Sequence, residues 1–455
     1  MVVGEVGLPV ELWRDIHEMA TAIPDEFNIT SPTFQYDEIY IANQYTEDWR
    51  AAMYTRRTIA LVSRTWYEIA PEFLYSSLLV ETNAHYRSFV SLIFRLRQNK
   101  LARWVKRVTI ARFRCTDDQW NRVQHSISLL NNLRIYVICR GRQPWLRWNP
   151  PSAPITTLVL DTLPIDNVYQ VLSNLLELKV LLIGGIRRCS ATRADTPVTF
   201  PNLHTLGITF TSQKLSNWHE IIIAPSLRIL HAPFHTHFVA LRPYLSTIHT
   251  LGISNLESYH EANIQDLPVP PRITTLILWM RSMPVDWVNQ LAFLDLSQII
   301  SIELRLDSVV QFTELSRGWA SFSFGFGLES LLRLLADARL TPALRRVELD
   351  ISVNTLCSLT ESAREGLCVW VAKVEEQGII EVYAYKRVSV NDHARCIRFG
   401  EMVASEPVFE FWECKSSYDR DQNRWDTLAE RTGRSDLTKW VGNGGMSCVW
   451  GNPFV

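Results

Sequence analysis

Eight cysteines, Cys115, Cys139, Cys189, Cys357, Cys368, Cys396, Cys414 and Cys448, are scattered along this chain, and no two have Cys-x-x-Cys spacing. Without that spacing the common zinc and dithiol motifs are excluded, and the cysteines read as free thiols in a reducing compartment, cytoplasmic or nuclear. No apolar run approaches the ~20 residues that span a bilayer, and Glu5 stands where a secretory leader would carry basic residues. Neither secretion nor membrane insertion is expected. Net charge is also missing: 46 Lys and Arg against 47 Asp and Glu leave −1 at pH 7, which gives no global attraction to nucleic acid or lipid.

Reactive motifs are absent as well. His17-Glu18, His219-Glu220 and His260-Glu261 each lack the second histidine that would make a zinc-binding helix. There is no Gly-x-Ser-x-Gly elbow and no phosphate loop. Gly325-Phe326-Gly327-Leu328-Glu329-Ser330 lacks the third glycine of a dinucleotide turn and reads as a bend before a helix. His231, His235 and His237 have no cysteine or carboxylate partners in sequence, so packing and turns account for them. No catalytic centre, no metal site and no cofactor is expected.

What the chain does have is a repeat. An apolar triplet spaced Φ-x-x-Φ-x-Φ begins at Val105, Leu133, Ile155, Leu178, Leu203, Leu227, Ile248, Ile273, Ile299 and Leu344, at intervals of 28, 22, 23, 25, 24, 21, 25, 26 and 45 residues. All but the last interval fall near the period of leucine-rich repeats. A short strand buries alternate residues, a return segment brings the chain back, and each unit needs its neighbour to cover its flank. The expected fold is therefore α/β, an irregular leucine-rich-repeat-like solenoid with a parallel sheet; a conventional α/β domain with strands every ~25 residues is the alternative. It is irregular because the position eight residues after each start, commonly Asn or Cys in such repeats, is neither here. The 45-residue interval holds Leu328, Leu331, Leu332, Leu335 and Ala338 at helical spacing, a longer return helix. Near the C-terminus, Ile379–Ala384 and Val408–Trp412 read as strands, and residues 396–455 as a cap or tail.

Strand positions alternating with the core define a second face. Ile135, Val137, Val159, Val180 and Leu182 form an apolar stripe there, beside Arg107. Such a stripe has to meet a partner or be covered by the chain itself, and these six residues are the candidate target-binding set. Residues 87–147 carry fourteen Lys or Arg against Asp117 and Asp118. That segment is either a solvated basic face or a grip for an acidic or phosphorylated segment.

The N-terminal region reads as helices. Pro9 suits the first position of a helix in which Leu12, Ile16 and Met19 share a stripe. Ile59, Val62, Trp66 and Ile69 repeat at helical spacing, with Pro71 expected to end that helix. Between the two, residues 24–55 hold an acidic and aromatic insertion, expected to be a partly ordered surface loop.

Leu8-Pro9-Val10-Glu11-Leu12 together with Leu61-Val62-Ser63-Arg64-Thr65-Trp66, followed by Leu74-Tyr75, resembles the two halves of an F-box, interrupted by that insertion. Fungal F-box proteins carry comparable irregular repeats. The resemblance covers residues 7–80 and implies that Leu8, Pro9, Leu12, Ile16, Leu61, Val62 and Trp66 contact the small helical S-phase kinase-associated adaptor, which docks on a cullin scaffold. The organisation so read is an F-box-like module over 1–80, a solenoid over 81–395 and a C-terminal cap over 396–455. Its implied function is to recruit a protein target to an SCF-type ubiquitin ligase, with a non-ligase protein-binding scaffold bearing a degenerate F-box as the alternative.

Overall fold

The computed structural model describes residues 10–21, 38–81, 83–111, 116–139, 153–164, 172–187, 197–211, 222–233, 244, 246–254, 272–280, 296–306, most of 330–350, 369, 381–386 and 395–398. All of these belong to the first of two units, Met1–Val403; the second, Ala404–Val455, lies outside the described residues, as does the strand expected at Val408–Trp412.

Three helices open the described chain: α1 Val10–Thr21, α2 Glu38–Ala60 and α3 Arg64–Leu74. They pack on one another and lead into β1 Ser77–Val80. Helix α4 Asn83–Gln98 and a single 3-10 turn, Leu101–Trp104, precede β2 Arg107–Ala111; α5 Asp117–Ile127 follows and leads to β3 Ile135–Cys139. A capping box starts α5, the Thr116 hydroxyl accepting from the Gln119 N–H while the Gln119 side chain accepts from the Thr116 N–H. The remaining strands are β4 Thr157–Pro164, β5 Val180–Arg187, β6 Val198–Thr199, β7 Thr205–Thr211, β8 Ile222–Ile223, β9 Ile229–Pro233, β10 Thr250–Ser254, β11 Thr275–Met280, β12 Ser301–Leu306, β13 Arg346–Asp350, β14 Glu381–Lys386 and β15 Arg395–Arg398.

Thirteen strands form one sheet in the order β1-β2-β3-β4-β5-β7-β9-β10-β11-β12-β13-β14-β15. Every pairing is parallel except the last, β14 with β15. This is a parallel solenoid in a mixed α/β chain. The repeat read from sequence maps onto it position by position. All ten triplet starts are buried, and each repeat strand begins two residues later, with those strand starts paired in register from Arg107 through Ile135, Thr157, Val180, Thr205, Ile229, Thr250, Thr275 and Ser301 to Arg346.

The register follows from burial. The second apolar residue of each triplet builds the row Val108, Tyr136, Leu158, Leu181, Leu206, Leu230, Leu251, Leu276, Ile302 and Val347, all buried. A one-residue slip would turn that entire row to the opposite face. The row packs with Phe89, Ile93 and Leu96 of α4 and Trp120, Val123 and Ile127 of α5 into one continuous core. Burying a leucine contributes about 1.5–3 kcal/mol, so repetition down the sheet lets short strands hold.

Two ladders fix the turns that enter the strands. The carbonyl of the residue just before each strand accepts two N–H groups from the next repeat: Lys106 from Arg134 and Ile135, Arg134 from Thr156 and Thr157, and so on through Ile300, which accepts from Arg345 and Arg346. Side chains add a second ladder, Asn132 donating to the Arg103 carbonyl at 2.9 Å, Asn202 to Leu176 at 3.3 Å and Ser226 to Pro201 at 2.7 Å. In place of an asparagine row, these three bonds come from the residue just before the triplets at Leu133, Leu203 and Leu227.

Two local expectations change. Helix α2 runs unbroken through the second half of the segment read as a loop, because Trp49, Ala52, Met53, Arg56 and Ala60 recur at helical spacing and turn inward. Pro71 does not end its helix; α3 continues to Leu74, its last turn held by an ion pair of Glu72 and a ring contact of Phe73 with α1. Ser330, Leu331 and residues 333–335 are helical with Leu331 and Leu335 buried, in the interval where a longer return helix is expected. The final strand read at Ile379–Ala384 is β14, and β15 crosses the 395/396 boundary.

Candidate docking surfaces

Helices α1 and α3 are joined by rings. Trp13 lies 5.0 Å from Trp66 at a tilted angle, and His17 stacks on Phe73 at 4.4 Å and 12°. The Arg14 Nε donates to Glu72 Oε1 at 2.6 Å across the same pair. Burial pushes the His17 imidazole below its ordinary value, and the nearby Arg56 guanidinium pushes the same way, against a smaller opposing pull from Glu72. Arg56, itself buried, donates to the Thr21 carbonyl at 3.1 Å and to Ser76 Oγ at 3.5 Å. Trp49 Nε1 donates to the Ser77 carbonyl at 3.2 Å and Arg50 pairs with Glu81, so α2 is tied to β1 and its flank.

That interior leaves an apolar surface outside. The inward side of α1 is Trp13, His17 and Thr21, one residue out of phase with the stripe of Leu12, Ile16 and Met19. Leu12 is 45% exposed and Ile16 half-buried. In the turn between α2 and α3, Leu61 is 84% exposed and Val62 65%, while Trp66 is half-buried against Trp13. Ser63 caps α3, its hydroxyl accepting from the Trp66 N–H, and this cap breaks the helical stripe expected to run from Ile59 to Ile69. Leu8 and Pro9 lie outside the described residues. Exposed large apolar side chains gather on this module: Val10, Leu12, Met19, Tyr54, Leu61, Val62 and Tyr67.

The stripe on the second sheet face is covered. Ile135, Val137, Val159, Val180 and Leu182 are buried together with Ala111 in a cluster separate from the main core, and Leu79 packs on it. Of the two outcomes open for this stripe, burial within the chain is the one found, so it presents no open contact face. Arg107 is only 1% exposed, its Nε donating to Thr109 Oγ1 at 3.1 Å on the same face. Further along, that row becomes Gly207, His231, Gly252, Ile277 and Glu303. The His231 ring crosses the space beside Gly252: a Cβ there would stand 2.7 Å from His231 Cε1 and 2.9 Å from Cγ, with Nδ1 nearer still. His235 and His237 lie outside the described residues, and among the described residues no group of three or more His, Cys, Asp or Glu side chains is placed to hold a metal ion.

A surface that the triplet pattern did not reveal runs along the leading edge of the sheet. The residue immediately before each repeat strand is, in order, Lys106, Arg134, Thr156, Lys179, His204, Arg228, His249, Thr274, Ile300 and Arg345. Each of the Lys, Arg and His residues in this column is exposed. Arg134 reaches Glu177 at 3.8 Å, an exposed pair of small energetic weight. Of the basic segment at 87–147, the structure thus splits the described members: Arg107 turns into the sheet, Lys106 and Arg134 join the column, Lys100 and Arg103 are exposed at the 3-10 turn, and Arg87, Arg95, Arg97 and Arg122 are exposed on α4 and α5.

No described helix is long and apolar enough to cross a membrane. No protein-family profile and no curated protein matches the chain. It is similar to a protein from Bacteroides fragilis of known crystal structure, with 14% identity over 55% of this chain and 74% of that one and a TM-score of 0.32, a likeness too loose to carry an argument.

Proposed function

We propose that this chain recruits a protein target to a cullin-based ubiquitin ligase of the SCF type, docking on the S-phase kinase-associated adaptor through its N-terminal helices and selecting the target with its solenoid. The observation that carries this reading is the outward apolar set on the helical module. The inner faces of α1 and α3 are already filled by the packed rings of Trp13, His17, Trp66 and Phe73, yet Leu12, Leu61 and Val62 stay in solvent at positions where the F-box resemblance puts adaptor contacts. Apolar residues concentrated on a small helical surface mark a protein contact. The chain performs no chemistry in this reading; it raises the effective concentration of a target beside the ubiquitin-charged enzyme.

Capture of the purified chain by the immobilised adaptor tests the proposal. Covering Leu61 and Val62 is worth about 1.5–3 kcal/mol each, and every 1.4 kcal/mol is about tenfold in affinity. The Leu61→Asp, Val62→Asp variant therefore loses capture by at least about tenfold while keeping its circular dichroism spectrum. Failure of the folded wild-type chain to be captured would refute ligase docking and favour the alternative, a binding scaffold in which the long α2 has displaced the adaptor surface.

A further inference from the structure

From the leading-edge column we infer that the solenoid holds an acidic, extended protein segment laid across the starts of its strands. This rests on the reading of the chain as a target-recruiting subunit and names the class of target. The chain as a whole has nearly equal numbers of acidic and basic residues, yet the ten positions preceding the repeat strands hold five Lys or Arg, two His and no Asp or Glu. Register turns that sequence bias into geometry. Because the carbonyl at each of these positions bonds the same two N–H groups of the next repeat, the side chains leave the edge at successive strands, about 4.8 Å apart. From Lys106 to Arg228 is five strand steps, roughly 24 Å, the reach of about seven extended residues at ~3.4 Å each.

Charge complementarity selects the occupant. A row of Lys and Arg opposite carboxylates or phosphoryl groups gives charge-assisted hydrogen bonds, and guanidinium groups take such anions in bidentate fashion. Single-stranded nucleic acid fits less well, since grooves that hold it interleave cations with exposed aromatic stacking platforms. The aromatic rings in the described turns are withdrawn from solvent: Phe200 and Tyr244 are buried, and Trp104 is half-buried under Arg103 at 4.9 Å. A near-neutral chain also lacks the broad positive field that nucleic-acid domains carry.

The test is fluorescence anisotropy with the full chain and three labelled probes: a ten-residue glutamate peptide, its glutamine counterpart and a ten-nucleotide single-stranded DNA. The glutamate peptide binds, the glutamine peptide does not, and the DNA binds more weakly. Lys179→Glu with Arg228→Glu lowers affinity for the glutamate peptide at least tenfold, and Lys179→Gln with Arg228→Gln lowers it less, in the same direction. Arg87→Glu with Arg97→Glu, an equal change of charge at exposed sites on α4, leaves it within about twofold, because neither residue belongs to the column. Absence of peptide binding, an equal loss in the α4 variant, or tighter binding of the DNA would each overturn the inference. Adaptor capture is measured on the same proteins: its failure with peptide binding intact refutes ligase docking alone, whereas lost peptide binding with capture intact refutes the column alone.

Discussion

Gly252→Ala is the most direct check on the sheet register. Gly252 pairs with His231 on one side and Ile277 on the other, and the His231 ring lies where a Cβ at 252 would project. His231 and Gly252 are both buried, so the ring has little room to withdraw. Overpacking of this kind costs about 1–3 kcal/mol. His231→Ala alone also destabilises, by opening space and losing what the ring holds, but combined with Gly252→Ala the same truncation relieves a clash. The double variant is therefore more stable than the two single effects predict, by at least about 1 kcal/mol, well beyond the 0.3–0.5 kcal/mol within which independent sites add. Urea denaturation followed by far-ultraviolet circular dichroism measures all four proteins. Additive behaviour within that margin would mean that His231 does not cross Gly252, and would refute the register of β9 on β10.

Two further outcomes follow from the packing. His17 is buried, its folded-state pKa is lowered from the ordinary 6.5, and neither ring nitrogen has a hydrogen-bond partner among the described residues. The unfolded chain then binds a proton below about pH 6.5 that the folded chain refuses, so stability is complete above that pH and falls as pH drops towards the folded pKa. Urea denaturation followed by tryptophan fluorescence shows this loss as pH falls below about 6.5, and His17→Phe flattens it; an unchanged acid limb in the variant would show that His17 is not its source. Leu206→Ala, in the buried row of β7, lowers stability by about 2–5 kcal/mol, whereas Ile300→Ala, at an exposed position before β12, stays within about 0.5 kcal/mol. Similar losses in both would contradict the assignment of those positions.

The solenoid was legible because one physical requirement writes itself repeatedly into the chain: alternate strand residues must be apolar on the core side, and Φ-x-x-Φ-x-Φ is that requirement in sequence form. Leu203, Leu206 and Ile208 are buried for the same reason that Leu178, Leu181 and Ile183 are. The helical module was less legible because periodicity finds a stripe without telling which way it faces. On α1 the apolar stripe of Leu12, Ile16 and Met19 is left outward, while Trp13 and His17 go inside through ring contacts that a hydropathy pattern does not weigh. The helix α2 was hidden by composition: acids and aromatics suggested a loop, although Trp49, Ala52, Met53 and Arg56 already had the spacing of a buried helical face.

Recognition by this solenoid is constrained by what its strands already cover. On the helix-bearing side the sheet is filled by the core, and on the other side the row from Ile135 to Leu182 is itself buried, so neither face of β3 to β5 offers open apolar area. In the proposed reading, the exposed leading edge is therefore the surface left on these early strands for a target. Along the leading edge, the backbone ladder fixes the residue before each strand at a regular interval, and the second ladder of Asn132, Asn202 and Ser226 braces the turns that present it. The ladder itself is made of backbone groups, although the Arg134 and Arg345 guanidiniums also donate to the Pro154 and Leu344 carbonyls at 3.4 and 3.0 Å, so exchanging the side chains of Lys179 and Arg228 does not unmake the ladder. A loss of peptide binding in Lys179→Glu, Arg228→Glu at unchanged stability is therefore the signature that separates a recognition surface from a structural one.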